Sequence, residues 1–579
     1  MAIEVVEVSS PSLAYVVLGG FTVAFSMVSL FVKEKLYINE VFLGTAFGIM
    51  MGPHGANLFD PRSWGMSQEK VTLEVMRVVL ATSLFIIGVE LPKNYIYKHM
   101  KGLLVMVVPT MAIGWGIIAG SLKLLFPRLE FISCLAISAC LTPTDPIICA
   151  AIVGGKFAIR YVPIDIRHFL SAESAANDGL AFPFLTVALY LTLETSTRVA
   201  IGKWFLVGWL YQVILGVILG AVLGTVFRHL MKLSHKKGFI NKEAYLAQQL
   251  ALALLTMGVA STIGSDDLLA AFAAGSAISW DGDFNTHIEN EAFASIIDFV
   301  LNCACFLYIG AWLPFESWHS PTLGTDVWRL VVLFVVVMFL RRIPAILMLY
   351  RWVPEIKNWR EALFCGHFAF HPFPDLAYMY MPQMGVGAVF VSSLALSKLP
   401  EPASPPQSQA ELLAAIIQPI VAFIVLGSII VHGVSVVLLS FTLGLRARSR
   451  LDIARDHLRA TGYAGAQRRS SFKAINADPD PDAASVRSFR ATIPSIPEVE
   501  PAAGPSSTRA SMINNAKVLR FASREDVIGR DVTDKCFAAT ADEQQGTWNR
   551  VCFRHEDFVD FVACLGVVVA SKNVALYPG

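Results

Sequence analysis

The chain has 579 residues, of which 55% are hydrophobic and 16% charged, with a mean hydropathy of +0.57 and a net charge of +1. This balance excludes an ordinary soluble domain, and it gives no basic footprint for nucleic acid. The apolar runs crowd into residues 1–445 while residues 446–579 are polar and rich in Ser, Ala, Pro and Arg, so we expect an all-α polytopic membrane protein with a disordered tail.

The N-terminal MAIEVVEVSSPSL is acidic and has neither the basic region nor the cleavage site of a signal peptide, so the first apolar run is expected to serve as its own insertion signal. Apolar runs of membrane-crossing length fall at about 12–32, 37–52, 71–91, 102–125, 130–153, 168–193, 204–226, 243–263, 266–280, 291–314, 326–349, 362–396 and 413–443. That makes thirteen expected spans. With the N-terminus outside, the loops that become cytoplasmic hold sixteen Lys and Arg, against six in the opposite set, and the tail begins on the same side beside Arg446, Arg448 and Arg450. No Asn-x-Ser/Thr sequon offers a further topological clue. The nine cysteines form no CxxC pair and read as small buried residues. In the tail, RRSSF at 468–472 is a candidate kinase site and DFVDFVACLGVVVA is too short to span.

Acids inside apolar runs are costly in lipid, so they mark a protein interior or a water-filled cavity. In LTPTDPIICA, residues 141–150, Pro143 and Pro146 each remove a backbone donor and interrupt regular helix around Asp145, between the hydroxyls of Thr142 and Thr144. Backbone opened in this way can line a cavity and coordinate an ion, although a proline kink capped by Asp145 would read the same. The next run carries SAESAANDG, residues 171–179, where Glu173 shares a helix face with Asn177, and Ser174 with Asp178. Arg341 and Arg342 close the run VVLFVVVMFL; one is expected to pair with Glu173 and the other to anchor at the interface, leaving Asp145 and Asp178 free to exchange ligands. Asp266 and Asp267 open the ninth run as ordinary helix caps or as accessory acids. His367 and His432 are interior histidines or proton relays, and Glu90 has an entry or pH-sensing role as its alternative to a surface one.

TPTDP, ESAANDG, GVELPKNY, GSDDLLAAFAAG, FLRRIPA and IIVHG, in that order, resemble the monovalent cation/proton antiporters and, within them, the fungal plasma-membrane sodium/proton antiporters. The likeness covers about residues 10–445. It implies inverted repeats with two unwound helices crossing near the midplane, a homodimer, and exchange of cytoplasmic Na+, Li+ or K+ for external H+ at the plasma membrane in salt tolerance. Carried over, it makes Asp178 the principal cation and proton carboxylate, completed by Asp145, Thr144, Ser174 and Asn177, with Glu173 paired to Arg341 or Arg342 and Thr142, Asp266, Asp267, His367 and Glu90 as accessory positions. No cofactor is implied beyond the transported ions; the partners are the bilayer, a second copy and regulatory proteins or a kinase on the tail. A potassium-preferring or organellar exchanger and, from another class, a channel or membrane sensor stand as alternatives. No His-rich cluster or Ser-His-Asp set supports an enzyme. One departure stands out: GHF at 366–368 is separated from GVGA at 385–388 by AFHPFPDLAYMYMPQM, which we read as a retained intron or gene-model error, with the stretch after Gly546 of similar origin.

Overall fold

Helix starts and stops in this chain are set by short polar signals between apolar runs. Ser9 caps the helix α1 (Ser10–Phe31), Asn39 caps α2 (Glu40–Met51), and Asn241 caps α9 (Lys242–Ile263), each side chain accepting from a backbone N–H three residues on. Gly264 ends α9 at φ 82°, a conformation that costs glycine nothing and lets Asp266 start α10 (Asp267–Ile278) three residues later. The computed structural model describes residues 9–36, 38–64, 68–153, 163–288, 293–366 and 384–434. His367, most of the 369–384 interruption and the tail from 446 lie outside them.

The remaining helices are α3 (Gln68–Glu90), α4 (Tyr95–Leu125), α5 (Phe131–Leu141), α6 (Pro146–Val153), α7 (Ile164–Leu193), α8 (Thr197–Lys236), α11 (Asp283–Ile288), α12 (Phe293–Trp312), α13 (Val327–Leu340), α14 (Ile343–Leu349), α15 (Trp359–Gly366), α16 (Val386–Leu396) and α17 (Gln409–Val434). The fold is all-α; among the described residues the one β feature is an isolated bridge between Ser320 and Thr325. Among the described residues, ten helices are long and apolar enough to cross a membrane, and three shorter apolar ones, α2, α10 and α16, fall in the other three expected runs. At 11 or 12 residues these three rise only about 17–18 Å, less than the hydrocarbon core. Protein encloses most of α10 and α16, whereas α2 buries one face and leaves Met50 exposed.

Burial separates interior from periphery. The best apolar window of the segment Phe131–Ala150, which contains α5 and α6, is 83% buried, against 22% for α1 and for α8. In a membrane the solvent is itself apolar, so helices associate through close backbone approach. The α8–α10 seam is built this way: Gly216, Gly220 and Gly224 lie against the backbone of Asp266, Ala270 and Ala274, with no room for a Cβ. The α2–α12 seam repeats it with Gly48 against Leu307 and Gly310 against Thr45. Helices α5, α6, α7 and α16 meet at the centre, with α3 and α10 packed beside them. The chemistry gathers at that meeting.

Candidate functional site

Between α5 and α6 the chain leaves helix at Thr142–Asp145. The carbonyls of Leu141, Thr142 and Pro143 then lack their usual helical donors; Thr142 would need the N–H of residue 146, which is Pro146. Arg341 supplies what is missing, its Nη1 donating to all three at 2.8, 3.2 and 2.8 Å. A buried guanidinium at a helix C-terminus also offsets the negative end of the helix dipole.

Asp145 does the opposite job at the other end. Its Oδ1 accepts from the N–H groups of Ile147 and Ile148 at 2.8 and 3.0 Å, capping α6, and its Oδ2 accepts from the Val386 N–H at the start of α16. One carboxylate therefore ties together the N-termini of two half-length helices. Gly385 is needed because a Cβ there would collide with Asp145 Oδ2.

Helix α7 runs 30 residues without a break and presents the second polar group. Asn177 Oδ1 accepts from the Thr144 N–H at 3.0 Å, and its Nδ2 donates to Thr144 Oγ1 at 2.7 Å and to Glu173 Oε1 at 2.9 Å. Ser174 Oγ lies 2.8 Å from Thr144 Oγ1. Glu173 makes a bidentate pair with Arg342, at 3.0 and 2.7 Å, and Arg342 Nε also donates to the carbonyl of Cys365 near the end of α15. The choice left open between the two arginines is thus settled by geometry: Arg342 holds Glu173, and Arg341, expected as its alternative or as an interfacial anchor, is buried on the carbonyls of the broken helix instead. Each arginine serves the C-terminal end of one half-helix.

Asp178 lies one turn further along α7 and is 3% exposed, yet neither carboxylate oxygen has a hydrogen-bond partner among the described residues. Gly387 stands against it, since a Cβ there would come within 2.6 and 2.7 Å of its two oxygens. A cavity of about 200 Å³ reaches Asp178 and is also lined by Arg77, Gln212, Asp266, Asp267 and Lys398. Asp145 and Asp178, expected to be left free to exchange ligands, thus differ in their hydrogen-bond partners. The amides that occupy Asp145 belong to the first turns of α6 and α16, where helix N–H groups have no intrahelical acceptor, whereas Asp178 sits on regular helix whose amides are already bonded.

Of the accessory positions, Asp266 caps α10 by accepting from Leu269 N–H at 2.9 Å, and Asp267 pairs with Arg77 at 2.8 Å; both line the same cavity as Asp178. Thr142 turns its hydroxyl back to Ser138 O at 2.6 Å, and only its carbonyl takes part. His432 bonds within α17 to Ser428, whose hydroxyl accepts from Met384 N–H just ahead of α16. Glu90 lines a different cavity. Sequence reasoning passed over Arg77, Gly385 and Gly387. Arg77 was findable as a lone cation within an apolar run; the glycines were not, because their need comes from a carboxylate more than 200 positions away.

Residues 21–442 match the family described as sodium/hydrogen exchanger, transmembrane. The chain is 42% identical over 456 residues to a probable Na+/H+ antiporter of Schizosaccharomyces pombe, covering 77% of this chain and 58% of that protein. It is 42% identical over 449 residues to a Na+/H+ antiporter of Saccharomyces cerevisiae, covering 76% and 44%. The chain spans about half the length of these curated relatives. A second S. pombe Na+/H+ antiporter is 35% identical, with 74% and 90% covered. Among solved structures, the sodium proton antiporter MjNhaP1 of Methanocaldococcus jannaschii at pH 8 aligns with a TM-score of 0.53 over 74% of this chain and 99% of that one, at 16% identity, a likeness of fold alone.

Proposed function

Because the chain belongs to the sodium/hydrogen exchanger family, we propose that it is a secondary antiporter in which a proton and Na+ compete for Asp178. The observation that carries this reading is the buried, unpartnered carboxylate at the end of a cavity. An isolated anion in a low-dielectric site is costly, so an occupant must neutralise it. Charge arithmetic points the same way: at the broken helix Asp145, Glu173 and Asp178 face Arg341 and Arg342, which leaves one unit of negative charge there when all are charged, beside a second unit from Asp266 and Asp267 against Arg77 in the cavity. One proton or one monovalent cation neutralises the unit at the broken helix, and the two exclude each other.

In this scheme Asp145 and the arginines hold the half-helices in place, and Asp178, with oxygens from its neighbours, replaces part of the water shell of the ion. The cavity reaching Asp178 opens beside Ser261 and Lys398, the external side in the orientation set by the Lys and Arg bias. Alternating access would open Asp178 to the other side and exchange the two ions. Li+ is the natural second substrate of such a site, the plasma membrane its location, a homodimer its assembly, and residues 446–579 a cytoplasmic tail.

Expression in a salt-sensitive yeast that lacks its own sodium export is expected to restore growth in sodium or lithium, and Asp178→Asn at equal protein level is expected not to. Full rescue by Asp178→Asn would overturn the mechanism. Vesicle assays with sodium and potassium separate the two substrates, and a conductance without proton coupling would indicate a channel. If the full chain fails while one lacking residues 370–383 works, the interruption is at fault.

A further inference from the structure

Pro183 is buried inside α7, one turn beyond Gly179. A proline has no N–H, so the helical hydrogen bond that would run from residue 183 back to the Gly179 carbonyl cannot form, and the ring crowds that carbonyl. In membrane helices neighbouring side chains repair such gaps. Here they serve other carbonyls: Thr186 Oγ1 donates to Phe182 O at 2.9 Å, and Trp204 Nε1 donates to Pro183 O at 2.8 Å. Among the described residues no side chain donates to the carbonyl of Gly179.

Gly179 follows Asp178 in the chain, and both line the cavity of about 200 Å³, together with Phe182 from the next turn of α7. A glycine gives a cavity wall only backbone atoms. Its Cβ direction is closed, because a Cβ there would come within 2.9 Å of the Leu269 Cβ on α10. The peptide group is what remains to face the cavity. Its N–H is spent inside the continuous helix, so the free polar atom that Gly179 presents is its carbonyl oxygen.

We infer that the Gly179 carbonyl is a further ligand of the transported cation, freed for that use by Pro183, which is a positioning residue. The inference rests on the proposed exchange at Asp178. A backbone carbonyl replaces a water of the ion's shell, as it does in channel filters and in the unwound helices of transporters. It carries no charge, so it adds an oxygen beside Asp178 without altering the charge balance there. Sodium needs several oxygens around it, whereas a proton needs only the carboxylate, so a neutral oxygen favours the cation in the competition. The other two acids of the cavity are committed elsewhere, Asp266 to the Leu269 N–H and Asp267 to Arg77.

The test restores the missing N–H. In proteoliposomes holding the full chain, Pro183→Ala and Pro183→Val are each expected to raise the apparent KM for sodium about tenfold, with kcat changed by less than about twofold. Valine is close to proline in volume, so agreement between the two assigns the effect to the restored hydrogen bond and not to the lost ring. Melting temperatures are expected not to fall, since a proline inside a helix costs stability. Parent and Asp178→Asn proteins are assayed beside them: normal exchange by Asp178→Asn would overturn the transport reading and this inference with it. With the parent active and Asp178→Asn inactive, an unchanged KM in both Pro183 variants would overturn this inference alone and leave the carbonyl to water. A raised KM in Pro183→Ala without one in Pro183→Val, or a lowered melting temperature in both, would make Pro183 a packing residue and overturn it as well.

Discussion

Asp145 and Asp178 lie in neighbouring segments of the same buried cluster, but the local backbone treats them differently. Around Asp145 the helix is broken, and backbone amides of α6 and α16 occupy its oxygens. Around Asp178 the helix is whole, no amide is spare, and the carboxylate has no partner. Interruption of a helix therefore gives an acid backbone partners, and continuity of the helix leaves its neighbour without them. In the proposed mechanism the acid that proline singles out in the sequence is the structural one.

Substitutions separate the two roles. The largest effect expected is on transport: Asp178→Asn abolishes sodium-dependent proton movement in vesicles, while its melting temperature does not fall, because a buried unpaired charge has been removed. Next comes Arg342→Gln, which strands Glu173 without its bidentate partner and is expected to cost about 3–5 kcal/mol in thermal unfolding. A loss below 1 kcal/mol would mean the pair is solvated. For Asp145→Asn the amide NH2 would face helix N–H donors, so a stability loss of about 1–3 kcal/mol accompanies the loss of exchange. Equal melting temperatures for Asp145→Asn and Asp178→Asn would erase the distinction between the two acids.

Gly387→Ala sharpens the comparison from the other side, since its Cβ would reach 2.6 Å from Asp178 Oδ1. It should raise the apparent KM for sodium about tenfold, or roughly 1.4 kcal/mol; an unchanged KM would place the ion elsewhere. The smallest effect belongs to the periphery, where Lys232 Nζ lies 2.7 Å from Asp281. Burial pushes the Asp281 carboxyl up, but Lys232, the Asp283 N–H and Arg228 outweigh it and hold it below the usual carboxylate range. That stability is present above the unfolded-state pKa and is lost as pH falls through the folded one. Lys232→Met should therefore cost at most about 1 kcal/mol at neutral pH, and its difference from the parent should vanish on acidification below the carboxylate range.

Much of the fold was legible because hydrophobic length is a strong signal in a membrane: each of the thirteen apolar runs contains a helix. The short α2, α10 and α16 read as ordinary spans, since hydropathy does not distinguish lipid from a protein interior. At the site, Glu173, Asn177 and Thr144 could be picked out as polar groups in an apolar run, and Pro143 and Pro146 announced the break. Which arginine meets Glu173 was not legible, because Arg341 and Arg342 lie where the backbone leaves helix between α13 and α14, and the direction of each side chain there depends on packing. The capping of α16 by Asp145 joins positions 145 and 386, and no local pattern encodes a contact of that range.

The central claim, that one carboxylate alternately holds the proton and the cation, is tested most directly by counting protons released as sodium binds. Calorimetric titration of the purified protein with sodium, in two buffers of different ionisation enthalpy at the pH of half-maximal exchange, gives that number. The account predicts net proton release by the parent protein and none by Asp178→Asn. Equal release from both, or no release from the parent, would contradict it.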